Sequence, residues 1–190
     1  TASEVINRIV ATWEICDADV CLPATGTVND ETSCSIAGGA TRTPGFWKTH
    51  TIFAEHVLTE HCGGLLDLGF VQLTTIDEVC AYFWANKAKN TDGSKRSKLC
   101  QARMHASFHA IAALLNNCVP SGGGIPVSPA EIANILGGTN IKDIKDLASD
   151  LAAYNESGDD VALVDPDAEP GNATPAECKG YDRSIADCIS

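Results

Sequence analysis

Apolar residues recur at helical spacing through most of the middle of the chain. The clearest case is residues 96–117. At about 100° per residue, Met104, Phe108, Ile111 and Leu115 fall on one stripe, and Ala102, Ala106, Ala110 and Ala113 fall near the opposite side. Bulky residues on one side and alanines on the other predict burial on both, so this is expected to be the central helix. Four more helical stretches are predicted. One runs from Thr43-Pro44 to about His61, with Thr43 as cap, Pro44 at the first helical position and Gly63 beyond its end. A second starts at Thr75, with Asp77 and Glu78 in its first turn and Val79, Tyr82, Phe83 and Trp84 on its core side. A third starts at Ser128-Pro129-Ala130-Glu131, a capping box, and stops at Gly137-Gly138. A fourth carries Ile141, Ile144, Leu147 and Leu151.

The flanks read differently. Val5, Ile6, Ile9, Val10 and Trp13 suit a helix over 3–16, although Val5, Ile9 and Trp13 also fit strand alternation. The segment reads as an arm packed on its own core, or as one docked on a neighbouring subunit. Residues 17–42 read as a loop, and Leu65 to Leu73 as extended. From Glu156 the chain turns acidic and proline-bearing and reads as an irregular surface tail. The expected organisation is therefore a cysteine-bearing segment over 1–42, a helical core over 43–155 and an acidic tail over 156–190. The fold class is mainly α, a disulfide-stapled helical domain with irregular N- and C-terminal segments.

Nine cysteines stand apart at Cys16, Cys21, Cys34, Cys62, Cys80, Cys100, Cys118, Cys178 and Cys188. With no CxxC among them, a disulfide framework formed in an oxidising compartment is expected over a zinc ribbon or a redox motif. Their odd number leaves one thiol free or joined to another chain. Cys100 and Cys118 lie on one helix about 27 Å apart, so each needs a partner elsewhere. Cys178 and Cys188 are expected to close a small loop in the tail. Net charge is −12, which disfavours nucleic acid as a partner. No apolar run is long enough to span a membrane, and a start at Thr1 suits a processed form or a boundary cut within a longer chain.

The densest chemistry lies in Thr43-Pro44-Gly45-Phe46-Trp47-Lys48-Thr49-His50. Arg42 and these residues resemble the TPGYWKNH-type motif of a group of secreted bacterial proteins. In that group a helix with an RHA-x-AALLN-like core follows, and then a proline-started helix. Here Phe108-His109-Ala110-Ile111-Ala112-Ala113-Leu114-Leu115-Asn116 and Val127-Ser128-Pro129-Ala130-Glu131-Ile132 occupy those places. The resemblance covers roughly 41–155, with Phe46 in place of Tyr and Thr49 in place of Asn. It implies an exported bacterial protein and supplies no catalytic residue.

Two readings of function follow. The first is a secreted structural or interaction protein, at the cell surface or outside the cell, forming a homo-oligomer or filament and needing no cofactor. No nucleotide loop or hydrolase motif points to an enzyme. The second is a metal-binding protein or metalloenzyme. His105 and His109 stand i, i+4 on the central helix, a spacing at which two imidazoles share a metal. His50 would be the third ligand, for copper or zinc; the bland alternative is three imidazoles hydrogen-bonded at a helix seam. His56 reads as a surface or seam residue, and His61 as too far from His50 to chelate with it. Asp159, Asp160, Asp165 and Asp167 offer carboxylates to calcium, although a solvated acidic loop explains them as well. Pro44, Gly45, Phe46, Trp47 and His50 form the motif core, with Trp47 a buried keystone, or else Trp47 or Trp84 a sugar platform. Asn155-Glu156-Ser157 and Asn172-Ala173-Thr174 are glycosylation sequons.

Overall fold

The computed structural model describes residues 10–17, 20–27, 39–171, 178, 186 and 188. The chain divides into two compact units, Thr1–Ala37 and Gly38–Ser190. In the first, β1 (Val10–Asp17) pairs antiparallel with β2 (Val20–Thr27). Val10 stands opposite Thr27, and Cys16 opposite Cys21. This corrects the helix expected over 3–16 and the loop expected from 17. Val10, Thr12, Trp13 and Ile15 are β-branched or aromatic, and here β propensity outweighs a helical spacing that strand alternation matched equally well. Residues 3–9 and Cys34 lie outside the described part.

The second unit is mainly helical. Among the described residues it contains α1 (Pro44–Trp47), α2 (Thr51–His56), a π-turn (Val57–His61), a short ladder of β3 (Leu66–Asp67) with β4 (Gln72–Leu73), α3 (Ile76–Trp84), α4 (Lys98–Cys118), α5 (Pro129–Gly137) and α6 (Ile141–Glu156). The caps follow the residue types. Thr75 and Glu78 form a capping box, Ser97 accepts from Cys100 N–H, Ser128 from Glu131 N–H and Asn140 from Lys142 N–H.

The central helix is α4. It packs against α1, the π-turn, α3, α5 and α6. Its alanines are buried, and so are Met104, Ile111 and Leu115 of the bulky stripe, while Phe108 is half-buried. Arg103, buried on α4, donates from Nε to Leu136 O (2.9 Å) and from Nη2 to Gly137 O (2.9 Å) and Gly138 O (3.1 Å). It thereby satisfies carbonyls that the C-terminus of α5 leaves open.

One continuous helix over 43–61 does not form. Thr43 makes no side-chain cap, and α1 stops after four residues. Thr49 Oγ1 donates within reach of Gly45 O and Phe46 O (both 3.0 Å), and His50 Nδ1 donates to Phe46 O (2.9 Å). Side chains here take carbonyls that a continuing helix needs for its own N–H groups. The chain restarts at Thr51 and then widens. Cys62 N–H bonds to Val57 O (2.9 Å), an i→i+5 closure.

Three disulfides join distant parts: Cys62–Cys118, Cys80–Cys178 and Cys100–Cys188. Cys100 and Cys118 thus take partners away from α4. Cys178 and Cys188 are not joined to each other: Cys178 pairs with Cys80 of α3 and Cys188 with Cys100 of α4. The segment after α6 is irregular but not a loose surface tail: Leu163 and Asp165 are buried. Arg42 holds its start, donating to Gly158 O (3.2 Å), Asp159 O (3.3 Å) and Val161 O (2.8 Å). Gly158 permits the close approach of the backbone at Gly39 and Thr41, since a Cβ there would lie 2.4 Å from Gly39 O. No helix among the described residues is long and apolar enough to cross a membrane. The disulfides fit a secreted or extracellular protein.

Candidate metal centre

The π-turn decides the site. In an α-helix, residues five apart diverge by about 140° around the axis. With i→i+5 closure they come onto one side. His56 is the last residue of α2 and His61 the last of the π-turn, and their rings meet edge to face with centroids 5.3 Å apart. Gly64 N–H then returns to Leu58 O (2.8 Å), and the Cys62–Cys118 bridge fastens the exit of the turn to the end of α4.

Asp165 arrives from the segment after α6. Its Oδ2 lies 2.8 Å from His61 Nε2 and 3.5 Å from His56 Nε2, and its side chain is 0% exposed. Oδ1 accepts from Asp167 N–H (2.9 Å). Burial pushes the carboxyl up, but the Asp167 N–H and the two imidazoles outweigh that and hold it below the usual carboxylate range. His56 Nε2 is buried and has no hydrogen-bond partner. One ligand atom from each of the three residues lies within 4.8 Å of the others. Two imidazoles and a carboxylate are a donor set for zinc, copper or non-haem iron, with a coordination position left over. His61 also lines a cleft of about 310 Å³, walled by Leu66, Leu114 and Ala130 among others.

The histidines singled out in the sequence lie elsewhere. His50 stacks on Phe46 (centroids 3.8 Å apart) and spends Nδ1 on Phe46 O. His105 and His109 do meet, with centroids 5.4 Å apart. However, Lys87 Nζ sits 3.2 Å from His105 Nδ1, placing an ammonium beside that nitrogen. Among the described residues, His50, His105 and His109 do not gather as a three-ligand group, whereas His56, His61 and Asp165 do. Spacing rules for α-helices hid the pair, and Asp165 stands 104 residues from His61. Asp165 is turned inward, away from the role in an exposed calcium loop; Asp159, Asp160 and Asp167 are exposed.

Burial of His109, then the nearby His105 and Lys87, pushes its pKa down to about 4. Its unfolded value is near 6.5. The folded state therefore resists protonation that the unfolded state accepts. Stability is fully present above pH 6.5 and falls as the pH drops from 6.5 to about 4. Urea midpoints across that range should fall less in His109→Gln than in the parent chain.

Within the motif core, Pro44 and Trp47 are buried. Trp47 is fully buried, and its Nε1 donates to Asn116 Oδ1 (2.9 Å), which removes it as a sugar platform. Asn155, the first sequon asparagine, is also fully buried and hydrogen-bonded, so it is closed to glycan attachment in the folded chain. Asn172 lies outside the described residues. Compared with protein-family models, curated proteins and solved structures, the chain matches none.

Proposed function

We propose that this protein is a secreted, disulfide-stapled domain that binds a divalent transition metal, zinc or copper, through His56, His61 and Asp165. The convergence of two imidazole nitrogens on one buried carboxylate carries this reading. Binding would replace the proton between His61 and Asp165 and give His56 Nε2 a partner. It would also clamp the segment after α6 onto the π-turn, so the metal serves stability whether or not it serves chemistry. Excess zinc at neutral pH is expected to raise the melting temperature by several degrees. Asp165→Asn and His61→Ala should abolish that rise, whereas His105→Ala should leave it intact. A rise that persists in both site variants would sink the assignment.

A second reading, a self-assembling subunit of an extracellular filament or surface layer, has one specific support. The hairpin of β1 and β2 is a two-stranded ladder among the described residues, and both strands of such a ladder are edges able to pair further. Cys16, Cys21 and Cys34 lie in the same unit, an odd set. This reading predicts a native mass above that of the monomer, reduced by thiol reagents if a disulfide joins the copies. A monomer in both conditions contradicts it.

A further inference from the structure

A second cluster lies on α4, and the metal reading makes no use of it. Lys48 follows α1, and its Nζ sits 4.6 Å from the centroid of the Trp84 ring and 5.8 Å from that of Phe108. Lys87 comes from the connector between α3 and α4, and its Nζ sits 4.4 Å from the centroid of the same Phe108 ring. Two ammonium groups from separate elements therefore lie against one aromatic ring. Lys87 Nζ is also 3.2 Å from His105 Nδ1. One turn along α4, His109 Nδ1 is buried and has no hydrogen-bond partner.

No carboxylate pairs with Lys48 or Lys87 among the described residues. That is unusual company for a chain of net charge −12, in which carboxylates outnumber cationic side chains. Ring quadrupoles offset part of the repulsion. The remainder is visible in Lys87, whose affinity for its proton is lowered by burial and by Lys48. An anion placed beside both ammonium groups would relieve this repulsion and accept their hydrogen bonds.

We propose that Lys48, Lys87 and His105, backed by the rings of Trp84 and Phe108, form a binding site for an oxyanion, a carboxylate or sulfate group. Lys48 and Lys87 supply the charge. His105 positions Lys87 by accepting from its ammonium at Nδ1. The ligand is either a free anion or the carboxylate of an acidic polymer, and affinity separates the two.

The test is a titration of the full-length protein, followed by the imidazole resonances of His105 and His109. Sodium sulfate replaces chloride at constant ionic strength in one arm, and an oligogalacturonate is added in the other. Saturable shifts in both rings are expected, weakened at least tenfold in Lys48→Met with Lys87→Met, which keeps the apolar stems over the rings. Lys48→Gln with Lys87→Gln serves as a second pair should the first misfold. Similar affinity for both probes assigns the site to a free anion, and tenfold tighter binding of the oligouronate assigns it to a polymer. Shifts that never saturate, or that persist undiminished in a folded double variant, overturn the proposal.

Discussion

Reducing the disulfides is expected to unfold the helical unit or leave it barely stable. The three bridges span 56, 98 and 88 residues. By loop-closure entropy each removes about 4 kcal/mol or more of freedom from the unfolded chain. Measured losses for a single native bridge run about 2–5 kcal/mol, against a total stability of about 5–15 kcal/mol for a domain. Cys80–Cys178 should matter most. It closes the longest loop, both sulfurs are buried, and it ties the tail to α3. Replacing both residues with alanine should lower the urea midpoint strongly while the far-ultraviolet helical signal survives in dilute buffer. Full reduction should lower that signal too. A reduced protein with an unchanged midpoint would show that the core alone carries the fold.

The second large effect is expected at Asn116. It is fully buried on α4, and its side chain uses all four of its hydrogen-bonding positions. Oδ1 accepts from Arg42 N–H (2.8 Å) and Trp47 Nε1–H (2.9 Å). Nδ2 donates to Arg42 O and to Asn155 Oδ1 (both 2.9 Å). Asn155 in turn donates to His109 O (3.0 Å), closing the network on the α4 backbone. One side chain thus joins the entry to α1, the central helix and the end of α6. Asn116→Ala strands several buried polar groups at once. Each costs roughly 1–3 kcal/mol, and the sum is not additive, so a net loss of about 3–5 kcal/mol is expected. Trp47→Phe isolates one strand of the network and should cost less, about 1–3 kcal/mol. Chemical denaturation with the disulfides intact measures both. A loss below about 1 kcal/mol for Asn116→Ala would mean that water replaces the amide.

The same network shows what a single sequence can and cannot reveal. Helices α3 to α6 were legible because their signals are local: a cap residue, a proline at the first turn and apolar positions three and four apart. The double-sided burial of α4 followed from its alanines. The need for outside partners at Cys100 and Cys118 followed from helix rise alone. Other features depend on competition or on distance. The hairpin at 10–27 lies where helical and strand periodicities coincide, and only pairing between strands decides the outcome. The break at 48–50 depends on Thr49 and His50 side chains winning carbonyls from the backbone. The pairing of Cys178 with Cys80, and of Cys188 with Cys100, is set by packing that no spacing encodes.

The candidate site combines both difficulties. His56 and His61 stand five apart, a spacing that faces nothing in common on an α-helix, and they meet only because the backbone widens into a π-turn. Their third partner is an aspartate in a stretch that composition marks as solvated. The legible pair, His105 and His109, does meet, but beside Lys87, and among the described residues no carboxylate joins them in a three-ligand group. Reading i, i+5 histidines as a possible π-turn pair is the one sequence signal that would have pointed to the site.

Cobalt(II) titration of metal-free protein, followed by visible absorption, tests the central assignment most directly. Binding at His56, His61 and Asp165 predicts d–d bands that saturate at one equivalent, are displaced by zinc, and are lost in His56→Ala and in Asp165→Asn but kept in His105→Ala with His109→Ala. No saturable bands, or bands that vanish only when His105 and His109 are removed, would contradict it.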